Sequence, residues 1–294
     1  LAKLGVPNVA QFDYLDAPAP ETMMRALELL HHLGAMDEQC ALTRAGQLMS
    51  EFPLEPQLAR MLLQAAQLEC HHTEEAITLA ALLSVPSLFV RPREATRAAD
   101  EAKARFAHPS GDHLTLLNAY HAYKAASESA QWCFDHFLSH RTLKTSESIR
   151  ASLLRLMRRL RLLGDNRRKP TSADDQSVRL QKCLLSGYFT QVAKQERGGQ
   201  YTTYADRQPV QLHPSTGLCK RPPRWVCYHE FVLTAKSYIR TVTEIEFEWL
   251  AEVAPLFYGV QANGGLAPAD PLDSGQRLVE EMQSSVASLS VGHT

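Results

Sequence analysis

From Pro20 to Met36 the apolar positions Met23, Ala26, Leu27, Leu30 and Leu33 recur at spacings of three and four. That period predicts an amphipathic helix, entered through Pro-Ala-Pro behind Asp16 and ending near Gly34. The run "LTRAGQLMSEFPLEPQLARMLLQAAQ" (42–67) predicts a short helix capped by Thr43, a break at Phe52-Pro53 and a second helix entered at Pro56. Between Thr73 and Leu163 the pattern is helical throughout. In the last run of that stretch Ile149, Leu153, Leu156, Leu160 and Leu163 share one face, and Arg150, Arg155, Arg158, Arg159 and Arg161 are expected on the other, as a bundle helix with a basic back.

Residues 163–177 read as a polar linker, and beyond them the period moves towards two. "SGYFTQVAK", "GGQYTTYADRQPVQLHP" and "RWVCYHEFVLTAKSYIRTVTEI" are strand-like runs separated by Gly and Pro, which predicts a small β-barrel or a strongly bent sheet. "EFEWLAEVAP" is a short closing helix. From Gly259 onward Gly, Pro, Ser and Asp dominate until a modest helix at 274–287. At the other end Leu1–Gly5 reads as the last turn of a helix closed by glycine, so the numbering is expected to begin inside an element of a longer protein.

Composition adds little: 45% apolar and 21% charged residues describe an ordinary globular chain. No run reaches the roughly 18 to 20 uncharged apolar residues of a membrane span, and no signal peptide is visible, so no membrane partner and an intracellular site are expected. The six cysteines lie far apart with no CxxC pair, which favours reduced thiols. Charge is more informative. Residues 1–80 carry a net −7, residues 81–243 a net +13 and residues 244–294 a net −7. A basic middle suits a phosphate-bearing ligand, whereas the acidic flanks suit basic protein partners.

Candidate chemistry is sparse. No GxxxxGK[ST] loop, GxGxxG or HExxH occurs. Cys133, His136 and His140 in "CFDHFLSH" have helical spacing compatible with a metal, but no second ligand cluster matches them, and packing of an amphipathic helix explains them as well. A Ser–His–Asp triad has residues to draw on but no GxSxG elbow, so no catalytic residue is assigned. In "HPSGDHLTLLNAYHAYK" (108–124) Asp112 sits where an N-cap belongs. The stretch is either a capped helix start or a helix start that offers free N–H groups to a phosphate, with His108 and His113 beside it. Lys236, Tyr238 and Arg240 surround a predicted hairpin turn, downstream of His213 and Ser215 in "LHPST". They form either a solvated hairpin or a grip for single-stranded nucleic acid.

Taken together, "PETMMRALELLHHLGAMD", "LTRAGQLMSEFPLEPQLARMLL", "AALLSVPSLFVRP", "ADEAKARFAHPSGDHLTLLNAYHAY", "QWCFDHFLSHRTL", "LHPST" and "EFVLTAKSYIRTVTEI" resemble the carboxy-terminal half of DEAH-box RNA helicases. The resemblance spans residues 1 to about 258 and points within the family to the member activated by G-patch proteins. It implies an α+β, multidomain fold: an incomplete winged helix over 1–72, a ratchet helical bundle over 73–176, an OB-fold β-barrel over 177–260 and a flexible tail over 261–294. Where relatives of "WCFDHFLSH" end in Tyr, this chain has His140, which speaks further against a metal.

In the family this half packs against two RecA-like lobes of the same polypeptide, which hold ATP and Mg, and lines the channel for single-stranded RNA. The resemblance therefore implies no cofactor and no ATPase activity in these residues themselves. It implies RNA contacts near Arg105, His108, Asp112 and His113, with Asp112 ordering the helix end, and at His213, Ser215, Lys236, Tyr238 and Arg240. It implies a G-patch-type activator laid on the winged helix, where Glu28, Asp37 and Glu38 are the first candidates. It also implies work in pre-mRNA splicing, spliceosome disassembly and ribosome biogenesis, in the nucleoplasm and nucleolus and also the cytoplasm. A protein-interaction scaffold with little RNA binding, and a stand-alone histidine-based hydrolase or metalloprotein, are the alternative readings.

Overall fold

The computed structural model describes residues 1–6, 9, 12–67, 73–163, 173–255, 257–260 and 266–268. Part of the expected linker (164–172), Cys70 and the expected helix at 274–287 lie outside the described residues.

Helix α1 (Pro20–His32) starts behind Ala19 with proline in its first turn. Proline suits that position because its missing N–H has no intrahelical partner there. Thr43 caps α2 (Arg44–Met49) by accepting the Gly46 N–H at 3.0 Å. An antiparallel bridge joins Met36 to Leu42 between them. Helix α3 (Pro56–Gln67) buries Leu58, Met61, Leu62 and Leu63, each worth about 1.5–3 kcal/mol when removed from water.

The bundle continues with α4 (Thr73–Leu83), α5 (Thr96–Ala104), α6 (Asp112–Ala125), α7 (Ala130–Asp135) and α8 (His140–Arg159). Helix α8 and the residues just after it keep the expected facing except at Arg150: Ile149, Leu153, Leu156, Leu160 and Leu163 pack on the core, and Arg155, Arg158, Arg159 and Arg161 are exposed. Leu143, Ser146, Leu153 and Met157 are its buried positions. Arg150 lies among them, its Nε donating to Thr78 Oγ1 at 2.9 Å and its Nη2 to Glu74 at 3.1 Å. A guanidinium can sit on a packed face when neighbouring acceptors occupy its donors, so Arg150 ties α8 to α4 and does not belong to a basic back.

Helix α9 (Ala173–Tyr188) was not expected. It replaces the end of the predicted linker and the start of the first strand-like run. Leu180, Cys183, Leu184, Gly187 and Tyr188 are buried at helical spacing. Gly187 is required by a close approach: a Cβ there would stand 2.2 Å from the Gln57 carbonyl oxygen on α3. Packing thus crosses the expected boundaries at 72 and 176, because α3 packs on both α4 and α9 and α9 reaches the barrel.

The barrel has the strands β1 (Val192–Gln195), β2 (Tyr201–Thr203), β3 (Pro209–Leu212), β4 (Trp225–Leu233) and β5 (Ser237–Glu244), closed in the order β1-β2-β3-β5-β4. All pairs are antiparallel except β3–β5, which aligns Gln211 with Tyr238 and Leu212 with Ile239. Ala193, Tyr201, Val210, Val226, Ile239 and Val242 fill the interior. Helix α10 (Trp249–Val253) and the pair β6 (Tyr258–Val260) and β7 (Leu266–Pro268) follow. The α+β architecture expected from the sequence is the one observed. Among the described residues no helix is long and apolar enough to cross a membrane.

Candidate nucleic-acid interface

Where bundle and barrel meet, the start of α6 is stitched to β5. Asp112 is the first residue of α6, and its cap position is held by Gly111. The Asp112 carboxylate, 6% exposed, accepts the Gly217 N–H at 3.0 Å on one oxygen and the Val242 N–H at 3.0 Å on the other. The expectation of Asp112 as the cap of its own helix is therefore corrected: two barrel amides compete successfully for its oxygens. Gly111 has φ +130°, and a Cβ there would meet the Val242 carbonyl oxygen at 2.4 Å. The Glu244 N–H donates to the Ser110 carbonyl at 2.8 Å. The α6 N-terminus is consequently covered by β5, and its first N–H groups are not open to a phosphate.

His113 is 1% exposed, with Nδ1 2.8 Å from Thr243 Oγ1. Burial, with a smaller contribution from His229, lowers its pKa to about 3, so the ring is neutral. The His229 ring lies 6.4 Å from His113 and 5.3 Å from Tyr188, centroid to centroid. His113 Nε2, His229 Nδ1 and the Tyr188 hydroxyl have no hydrogen-bond partner among the described residues.

Above this seam a groove of about 300 Å³ runs between the bundle and the barrel. Its apolar side comes from Leu82, Leu88, Phe89 and Leu116, and its polar side from α5, the segment after β3, and strands β4 and β5. Arg91 forks onto Asp100 through Nε (2.7 Å) and Nη2 (2.8 Å). Lys103 donates to the Ser215 carbonyl, stands 3.9 Å from Asp112 and lies 5.0 Å from the Phe89 ring centroid. Arg240 is ion-paired with Glu230 across β4 and β5.

Of the residues expected to meet RNA, the groove brings together Asp112, His213, Ser215 and Arg240. His213 Nδ1 is 2.7 Å from Ser215 Oγ, and its ring meets Tyr238 edge-on at 5.6 Å. Burial first, then the Arg240, Lys103 and Arg91 cations, lower the His213 pKa. Lys236 is exposed at the β4–β5 turn, beyond the groove lining. Arg105 is exposed just after α5. His108 is half-buried, accepting the Ser110 N–H at 3.2 Å, and burial lowers its pKa. His113 lies behind the groove wall. The reading of the sequence missed Arg91, Asp100, Lys103 and Glu230, although all four lie inside the stretches that carry the family resemblance.

On the winged-helix side Glu28 approaches His32 at 3.8 Å. Burial, then repulsion from His31, lowers the His32 pKa to about 4. Asp37 accepts the Gln39 and Ala41 N–H groups at 3.1 and 2.8 Å and so shapes a turn. Glu38 is exposed. Cys133 is buried, His136 stacks on Trp132 at 4.1 Å and His140 meets Tyr123 at 6.1 Å. Among the described residues no three His, Cys, Asp or Glu side chains gather as metal ligands.

Three family models match the chain in order. Residues 26–54 match the winged-helix part of the helicase associated domain, residues 55–116 its ratchet-like part, and residues 180–258 the oligonucleotide/oligosaccharide-binding (OB)-fold. A winged helix, a ratchet-like bundle and an OB barrel in this order define the accessory region of a helicase. The chain belongs to the carboxy-terminal, helicase-associated region of the DEAH-box helicases.

Proposed function

We propose that this chain holds single-stranded RNA in the groove between bundle and barrel, by backbone contacts that do not read bases, for an ATP-dependent DEAH-box helicase. The observation that carries the reading is the groove itself, where Arg91, Lys103 and Arg240 from three different segments converge beside the OB barrel. Cations beside an aromatic on such a barrel suit phosphate contact and base stacking. ATP and Mg belong, in this reading, to RecA-like lobes that pack against the chain. The family resemblance further supports the member activated by G-patch proteins. That carries with it pre-mRNA splicing, spliceosome disassembly and ribosome biogenesis in the nucleus. The net −7 of residues 1–80 favours a basic activator helix on the winged helix.

One observation favours a second reading, a protein-interaction scaffold. Arg91 and Arg240 are already paired with carboxylates of the chain. Binding of labelled oligo-uridine to the 294-residue chain, titrated against salt, separates the two. RNA holding gives an affinity that falls with salt by roughly 0.7 in log–log slope per phosphate neutralised. The Lys236→Ala/Arg240→Ala double variant then binds more weakly and with a shallower slope. Weak binding that neither salt nor the double variant changes favours the scaffold.

A further inference from the structure

The acids of the groove stand where a ligand phosphate has to go. Asp100 and Glu230 line the groove together with the guanidinium groups they hold. Neither pair is buried: side-chain exposure is 56% and 53% for Arg91 and Asp100, and 42% and 38% for Arg240 and Glu230. The Arg91 hydrogen bond holds the Asp100 carboxyl below the usual carboxylate range, so it is fully anionic at neutral pH. A carboxylate forked onto a guanidinium uses the same planar donors that a phosphodiester uses.

We infer that Asp100 and Glu230 are internal competitors of the RNA backbone, which hold Arg91 and Arg240 in the empty groove and are displaced when a phosphate enters. The inference rests on the RNA reading above and adds a regulation to it. Exposed pairs of this kind exchange at small cost, because water and salt already screen them. Lys103 is different. Its partners, Ser215 and Asp112, sit on the seam that joins barrel to bundle, and its contacts there are structural. Two cations on tethered acids give a grip that excludes stray single anions, which cannot replace both carboxylates at once. It also releases a strand readily, because each carboxylate recaptures its own arginine.

The test is anisotropy of labelled oligo-uridine with the chain and its Asp100→Asn and Glu230→Gln variants, each over a range of potassium chloride. Each variant binds more tightly, by roughly fivefold for Glu230→Gln, the factor expected when a weak exposed pair no longer competes. Each also has a steeper salt slope, by up to about 0.7 for the cation set free. Glu101→Gln is the control: it removes the same charge from α5, where Glu101 pairs with Arg97 at 2.8 Å and does not line the groove. In an Arg240→Ala background Glu230→Gln has no effect, since its competitor role needs the arginine. Salt-dependent binding by the parent, with Asp100→Asn and Glu230→Gln indistinguishable from Glu101→Gln, overturns the inference and leaves the RNA reading standing. Absence of binding by the parent and by every variant overturns both.

Discussion

The Asp112 carboxylate accepts one amide from the segment after β3 and one from β5, and it is the residue on which the groove geometry converges. His113, next in the chain, supports the same seam as a neutral ring. Its ordinary pKa of 6.5 applies to the unfolded chain, while burial lowers the folded value to about 3. Between those values the unfolded state binds the extra proton. The stabilisation is therefore complete above about pH 6.5 and is lost as pH falls towards 3, at about 1.4 kcal/mol per unit. Urea unfolding of the parent and of His113→Asn at about pH 7 and about pH 5 checks the sign. The variant loses less stability on acidification, by roughly 2 kcal/mol, and equal losses would refute the assignment. The identity of this residue pair was legible in the sequence but its geometry was not. A carboxylate before a helical period reads as a cap of that helix, because partners 105 and 130 positions away leave no local trace.

At the scale of elements, local rules carried most of the reading. The Thr43 cap, the Pro56 entry and the hairpin of β4 and β5 all follow from short-range patterns, and each is present. Helix α9 did carry a period, at 180, 183, 184, 187 and 188, but a polar lead-in and the strand-like Ser-Gly-Tyr-Phe obscured it. The contact of Gly187 with the Gln57 backbone, which requires glycine, joins two helices that no local pattern pairs. Arg150 was misplaced for a related reason, since Thr78 and Glu74 satisfy it from another helix. On the winged helix, Asp37 spends its carboxylate on the turn after α1, and Glu28 faces His32, so Glu38 is the acid with most freedom to meet a partner. If a basic amphipathic peptide of G-patch type docks there, Glu38→Lys weakens its calorimetric affinity several-fold, roughly the effect of one rim charge of reversed sign. Unchanged affinity removes Glu38 from the dock.

At the scale of the whole molecule, bundle and barrel are joined by α9 and by the α6–β5 seam. Trp132 reports on the bundle, and Trp225 and Trp249 on the barrel side. In the parent chain all three are expected to change together during urea unfolding, as one cooperative unit. Asp112→Ala leaves the buried Val242 amide without its acceptor, at about 1–3 kcal/mol, frees the exposed Gly217 amide to water, and loosens the seam. Two separated transitions in that variant, read with single-tryptophan derivatives, are the expected result, and one shared transition at unchanged midpoint would show that α9 alone unites the two parts. This also sets what could be foreseen of the groove. Its positive segments could be counted from the sequence, but the pairing of Arg91 with Asp100 and Arg240 with Glu230 depends on how the segments fold over one another.

The span between Asp112 and Val242, 130 positions, has a further consequence during synthesis. At roughly 5–20 residues per second the second half of this latch leaves the ribosome on the order of ten seconds after the first. Until then the Asp112 carboxylate and the His113 ring stay hydrated, and the side of the groove that β5 supplies is missing. If the groove holds ribose-phosphate strands as proposed, that hold is complete only once the barrel has been translated.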